Sequence, residues 1–111
     1  MEVARSVVNI LEDKKGENIV LLDVHELSSF TDYFVIVNGT SDRMLDALAK
    51  AVSEGIDKQF DINGRIEGDS RTGWIVVDLG DTVVHLFTEQ QRDYYRLEDL
   101  WSKGKTLLRL Q

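Results

Sequence analysis

The sequence predicts a mixed α/β fold in one domain of residues 1–111, with about five strands in one mixed sheet and helices flanking it. Three observations predict it. Two stretches have helical apolar periodicity, short β-branched apolar runs stand between and after them, and a glycine-centred turn joins two strand-like runs into a β-hairpin at 74–87. A chain of 111 residues is long enough for one hydrophobic core.

The first half of the chain predicts a helix, two strands and a second helix. Apolar residues at helical spacing over 3–11 indicate the first helix, which should end near Gly16. Unbroken apolar runs at 19–22 and 33–37 indicate strands. A second helix should begin after an N-cap at Thr40 or Ser41, and its apolar stripe consists of Met44, Leu45, Leu48, Val52 and Ile56. A further strand after it would make part of the sheet parallel.

The hairpin is the clearest local signal in the sequence. A turn with Gly80 first and Asp81 second fixes the register of its two strands. One face then carries the pairs Asp78 with Val83, Val76 with His85, and Trp74 with Phe87. The opposite face is nearly all aliphatic and should join the core: Ile75, Val77, Leu79, Thr82, Val84 and Leu86. The mixed first face fits either burial under the terminal helix or contact with a partner.

The remaining segments are less distinct. A short strand is expected near 65–67. The segment 88–91 fits a capping box and opens a closing helical region in which Tyr94, Leu97 and Trp101 recur at helical spacing. The apolar tail 107–110 needs a surface on which to dock.

Composition and charge narrow the function classes. Twenty acidic and thirteen basic residues give a net charge of −7, which repels phosphate backbones and anionic lipids and favours a basic protein partner. No cysteine is present, so disulfides and thiolate metal sites are excluded. The first residues do not resemble a signal peptide, and no apolar stretch is long enough to span a membrane. We therefore expect a cytoplasmic protein.

The sequence contains no recognised catalytic or metal-binding motif with the required spacing. His25 and His85 lack a second ligand at a recognised metal spacing. The segment Gly39-Thr40-Ser41 between a strand and a helix could hold a phosphate, and an alternative enzymatic hypothesis, a nucleotidyltransferase or nucleotide-binding protein, would use it with Asp42 and Asp78 as metal ligands. The carboxylate pair that such enzymes need one residue apart is missing. A helix cap is the simpler interpretation, and we expect no enzyme activity, cofactor or metal.

The assembled segments resemble the ribosomal silencing factor family, also called RsfS, Iojap or YbeB. The resemblance covers nearly the whole chain, in order and with compatible spacing. The matching stretches are 27–36, 39–43, 67–68, 74–87 and 92–101.

The resemblance implies a nucleotidyltransferase-like fold without the catalytic carboxylates. It implies binding to the large ribosomal subunit through large-subunit ribosomal protein fourteen, which blocks joining of the small subunit and represses translation when nutrients are limiting. Trp74 matches the family's tryptophan at the partner interface. The whole expected partner-binding set is Trp74, Val76, Asp78, Asp81, His85, Arg92, Tyr94 and Tyr95. Some members of the family form homodimers, so the Trp74 face could be shared between a dimer contact and the ribosome.

Overall fold

A computed structural model describes residues 1–100 and 103–110, and for Leu100 it describes the backbone only. Trp101, expected in the closing helix, lies outside the described residues. The helices are α1 (Glu2–Asp13), α2 (Asp42–Phe60), α3 (Glu89–Tyr95) and α4 (Leu97–Leu100), with one 3₁₀ turn at Ser70–Thr72. The strands are β1 (Glu17–Asp23), β2 (Tyr33–Gly39), β3 (Arg65–Asp69), β4 (Trp74–Asp78), β5 (Thr82–Thr88) and β6 (Lys105–Leu110).

The strands form one mixed sheet in the order β3-β4-β5-β2-β1-β6. The pair β2 and β5 is parallel and the other neighbours are antiparallel, which confirms the predicted mixed α/β fold. The sheet has six strands where about five were expected. The sixth is the apolar tail, which docks by pairing with β1, Leu110 opposite Ile19 and Leu108 opposite Leu21.

The two long helices cover one face of the sheet. Buried residues of α1 and α2 share a core with the sheet residues Leu21, Val35 and Val37. The aliphatic face of the hairpin joins the same core through Ile75, Val77, Leu79, Val84 and Leu86, as the register predicted. The predicted stripe of α2 is buried apart from Met44, which is half-buried. Within residues 1–100 and 103–110, none of the helices has the length and apolarity needed to cross a membrane.

The hairpin has the predicted register. Trp74 pairs with Phe87, Val76 with His85, and Asp78 with Val83. Gly80 has a φ of +95°, the left-handed region that a glycine adopts without steric cost and that a Gly-first hairpin turn requires. The turn therefore places these three pairs on the sheet face opposite α1 and α2.

Local capping sets where the helices begin and end. The Ser41 Oγ accepts a hydrogen bond from the Met44 amide at 3.1 Å, so Ser41 is the N-cap of α2. The Thr88 Oγ1 accepts one from the Gln91 amide at 3.3 Å and starts α3, as the capping box predicted. Arg96 then adopts a left-handed conformation, φ +50°, and ends α3. The closing region is therefore two short helices, and Tyr94 and Leu97 lie in different ones.

Candidate functional site

Among the residues that the structure describes, the sheet face away from α1 and α2 is only partly covered. Its buried residues form a second core of Val20, Leu22, Val24, Phe34, Ile36, Val83 and Phe87. The helix α3 packs against β5 and β2 on this part of the protein. Trp74 and Val76, on β4, remain half-buried at the margin of the second core. The hairpin face is therefore neither fully covered by the closing helices nor fully open.

A series of aromatic rings in contact extends from this core to the protein surface. The Trp74 ring stacks on Phe87 with centroids 5.1 Å apart and lies 4.5 Å from the ring of Tyr95. Tyr94 meets Tyr95 edge to face at 5.1 Å. Tyr95 is 42% exposed and Tyr94 75% exposed. We call Trp74, Tyr94 and Tyr95 the aromatic row; its inner end is fixed by packing, and its outer end presents the ring type that is enriched in binding hot spots.

His85 supports the aromatic row from inside. The Trp74 Nε1–H donates a hydrogen bond to the His85 Nδ1 at 3.2 Å, so the proton of a neutral imidazole lies on Nε2. That Nε2 is buried without a hydrogen-bond partner among the residues the structure describes. Burial lowers the pKa of His85 from 6.5 to about 4, so the ring is neutral near pH 7 and can accept from Trp74.

The lowered pKa of His85 predicts acid sensitivity. Between pH 6.5 and about 4 the unfolded chain takes up a proton on this residue while the folded protein does not, so stability falls as the pH falls through that range. A pKa lowered from 6.5 to about 4 corresponds to about 2 kcal/mol lost between pH 7 and pH 5. Urea unfolding at both pH values measures this loss.

The control for this prediction is His85→Leu, which keeps the apolar volume and removes the titrating ring. We expect its free energy of unfolding to change by about 2 kcal/mol less than that of the unmodified protein between the two pH values. Comparing the two proteins cancels the contribution of His25, whose pKa is raised by its hydrogen bond to Asp23. An equal pH dependence in both proteins would contradict the assignment of the effect to His85.

Arg92 fastens α3 to the sheet. Its guanidinium is buried and donates to the Asn38 Oδ1 at 2.9 Å, to the Asn18 carbonyl, and to the Glu98 Oε1 at 2.8 Å. The hydrogen bond from Arg92 lowers the pKa of Glu98 below its usual value. Glu98 also pairs with Arg109 of β6 at 3.6 Å. One side chain thus joins β1, β2, α3 and α4.

The carboxylates Asp78 and Asp81 lie at the hairpin turn. Both are exposed, and the Asp78 Oδ1 accepts a hydrogen bond from the Gly80 amide at 2.9 Å. Trp74, Val76 and Asp78 follow one another on the same face of β4, so Asp78, where the turn begins, lies about 13 Å from Trp74 at the strand rise of ~3.3 Å per residue. The carboxylates and the aromatic row therefore mark the two ends of one strand.

The structure divides the eight expected site residues into two groups. Six of them are exposed or half-buried and can contact a partner directly: Trp74, Val76, Asp78, Asp81, Tyr94 and Tyr95. His85 and Arg92 are inside the protein, each 8% exposed, and can act only by positioning the aromatic row and α3. Sequence reasoning missed Asn38 and Glu98 as partners of Arg92. An asparagine after the buried apolar run of β2 was the one available signal.

The residues of the enzymatic alternative are not brought together. Asp42 follows the C-terminal end of β2, whereas Asp78 is next to the end at which β2 begins, because β2 is parallel to β5 and β5 is antiparallel to β4. The two carboxylates are thus at opposite ends of the sheet and cannot hold the same ion. In the part of the chain that the structure describes, no three His, Asp or Glu side chains are grouped as metal ligands. The Ser41 hydroxyl is engaged as a helix cap.

Comparison with known proteins identifies the family. The family model described as "Ribosomal silencing factor during starvation" matches residues 1–110. The chain belongs to this family. The ribosomal silencing factor of Halalkalibacterium halodurans is 36% identical over 106 residues, which cover 96% of the chain and 91% of that protein. The mouse protein named mitochondrial assembly of ribosomal large subunit protein 1 is 33% identical over 99 residues, which cover 86% of the chain and 43% of that protein.

Solved structures have the same fold. The crystal structure of a Chromobacterium violaceum protein superposes with a TM-score of 0.86 at 34% identity, covering 91% of the chain and 84% of that structure. The resemblance stated from the sequence is thereby confirmed for both the family and the fold. The described sheet and its half-covered face therefore belong to a member of the ribosomal silencing factor family.

Proposed function

We propose that the protein binds the large ribosomal subunit through large-subunit ribosomal protein fourteen and thereby blocks joining of the small subunit, repressing translation when nutrients are limiting. The observation that carries the proposal is the aromatic row, exposed at one end and anchored in the core at the other, in a chain of the ribosomal silencing factor family. The names of the relatives, one a silencing factor and one an assembly protein of the large subunit, support the ribosome as the target.

The chemistry of the surface suits a basic protein. Aromatic side chains supply apolar area with little loss of conformational entropy, and Trp74 and Tyr95 are already held by ring contacts. The carboxylates Asp78 and Asp81 at the far end of β4 would face basic groups of the ribosomal protein. A net charge of −7 speeds encounter with such a partner and disfavours direct contact with ribosomal RNA.

The proposed mechanism is steric and involves no reaction. The protein is small, with a radius of gyration of 12.5 Å. It still covers several hundred Å² of a partner surface when it docks by one sheet face. A subunit that must occupy the same surface is then excluded. No catalytic residue, cofactor or metal is needed for this activity.

Sucrose-gradient sedimentation with isolated ribosomal subunits tests the proposal. We expect the protein to migrate with the large subunit, not with the small subunit, and to reduce the joined-ribosome peak when it is added before the two subunits are mixed. Added nucleotide and magnesium should change neither result. Migration with the small subunit alone, or undiminished joining at saturating protein, would contradict the proposal.

A further inference from the structure

Phe30 is an exposed aromatic residue that the proposed function does not use. Its side chain is 72% exposed, far more than Trp74, and lies in the loop 24–32 between β1 and β2. Leu27 in the same loop is 42% exposed. Apolar area in contact with water is unfavourable, and exposed apolar area grouped in one segment, as at Phe30 and Leu27, is a feature of contact surfaces.

Hydrogen bonds hold the backbone of this loop. Its ends are joined by the Val24 amide, which donates to the Asp32 carbonyl at 2.8 Å. Inside the loop the Ser28 Oγ accepts from the amides of Phe30 and Thr31 at 3.3 and 3.2 Å. The amide of Ser28 donates in turn to the Val24 carbonyl at 2.9 Å. The backbone at Phe30 is thus ordered before any partner binds, which reduces the entropy cost of a contact.

The loop is also attached to the hairpin turn. The carbonyl of Asp81 accepts from the Asp32 amide at 2.9 Å, from the Tyr33 amide at 3.0 Å and from the Thr31 Oγ1 at 2.9 Å. Thr31 is buried at this junction. The Phe30 loop and the hairpin turn therefore form one hydrogen-bonded unit, placed at the end of β4 remote from Trp74.

The charges at this unit are mainly negative. The carboxylates of Asp32, Asp78 and Asp81 are exposed around the junction. Lys103 and Lys105 lie on the side of the loop that carries Asp23, His25, Glu26 and Leu27, where they line a shared hollow. The side that carries the hairpin turn is thus acidic, and an exposed phenylalanine with carboxylates beside it is complementary to a basic protein surface with an apolar patch.

We infer that Phe30 is a second apolar anchor for the same basic ribosomal protein surface that the aromatic row contacts. This inference rests on the proposed function. Asp78, where the hairpin turn begins, is about 13 Å from Trp74 along β4, and a typical interface of about 800 Å² per partner is roughly 28 Å across, so one docked partner is large enough to extend from the aromatic row past the start of the turn. Two anchors at the ends of β4 fix the orientation of the partner as well as its affinity.

Binding of isolated large ribosomal subunits by Phe30→Ala tests the inference. We expect the dissociation constant to rise by about 10- to 30-fold, the effect of removing one hot-spot aromatic ring. Phe30→Leu, which keeps an apolar side chain, should recover most of the affinity. The matched control is Ile66→Ala, which truncates a 49% exposed apolar residue on the sheet face that α2 covers, and it should bind as the unmodified protein does.

A Trp74→Glu variant in the same titration separates the two hypotheses. If Phe30→Ala binds normally while Trp74→Glu does not, the second anchor is refuted and the proposed function stands. If both variants bind normally, neither Trp74 nor Phe30 is an anchor and the inference is refuted, whereas the proposed function fails only if the unmodified protein does not bind the large subunit. Because Phe30 is exposed, its replacement should leave the urea unfolding midpoint unchanged. An equal loss of affinity in Ile66→Ala would also overturn the inference, since the effect would not be specific to this loop.

Discussion

Trp74→Glu is expected to lower the affinity for the large ribosomal subunit by about 100-fold or more. The substitution removes the central ring of the aromatic row and places a carboxylate among Phe87, Tyr95 and His85. Loss of a hot-spot tryptophan costs at least about 2 kcal/mol of binding free energy, and burying an unpaired charge against the partner adds to that cost. Titration of labelled protein with isolated large subunits measures the effect, and the sedimentation assay should show restored subunit joining.

The matched control is Trp74→Phe, which keeps an aromatic ring but loses the hydrogen bond to His85 and part of the indole contact area. We expect it to retain affinity within about tenfold of the unmodified protein. Trp74 is half-buried at the margin of the second core, so a glutamate there can turn to solvent in the free protein and the fold is preserved. Circular dichroism checks this. Co-sedimentation of a folded Trp74→Glu variant at the level of the unmodified protein would refute the proposed contact.

Arg92→Leu is expected to lower the free energy of unfolding by about 3 kcal/mol. The substitution leaves the Asn38 side chain and the Asn18 carbonyl without their donor and leaves Glu98 with only the longer contact to Arg109. The side chain of Glu98 is 26% exposed, so water can solvate its carboxylate after Arg92 is removed. This solvation limits the loss of stability. Urea unfolding at pH 7 gives the number.

Arg71→Leu is the comparison for this effect. Arg71 also forms an ion pair, with Asp69 at 2.8 Å, but its side chain is 85% exposed, so we expect a change within about 1 kcal/mol. Since α3 carries Tyr94 and Tyr95, the weakened attachment of α3 in Arg92→Leu should also reduce ribosome affinity. A loss of stability in Arg71→Leu as large as that in Arg92→Leu would contradict the assignment of the network to Arg92.

The hairpin could be predicted from the sequence because one short turn determines it. Once Gly80 occupies the first turn position, every cross-strand pair follows, and both faces of β4 and β5 follow with them. The core of α2 could be predicted for a similar reason, since helical periodicity and a cap at Ser41 define its buried stripe. In both cases the information lies within a few residues of the feature it determines.

Long-range packing set the features that the sequence did not indicate. Strand β6 forms because β1 has an open edge, and nothing near residue 105 signals a partner more than eighty positions away. The break between α3 and α4 occurs at Arg96, which is left-handed although it is neither a glycine nor an asparagine, the residue types that usually indicate such a position. Arg92 was expected at the surface as arginines usually are, and its burial depends on acceptors contributed by Asn18 and Asn38 from other strands.

Part of the candidate site was accessible from the sequence and part was not. The hairpin register placed Trp74 and His85 on one face, but only the fold shows that His85 lies beneath Trp74 as its hydrogen-bond acceptor. Phe30 stands in a polar connection whose order comes from bonds to Asp81, fifty residues later in the chain. Local sequence indicates the bonds to Ser28, a residue type that binds nearby backbone, but it does not indicate the attachment to Asp81.

The ends of the sheet bear on how the protein behaves at high concentration. Strands β3 and β6 are the outermost strands, and each leaves one row of backbone amides and carbonyls open to pairing with another chain. β3 is only five residues long, with Arg65, Glu67 and Asp69 along it and Gly68 in a left-handed conformation. The charged side chains and the short length of the strand discourage strand addition at this edge. Addition of a strand from another copy at β3 is therefore disfavoured, which reduces self-association through this edge of the sheet.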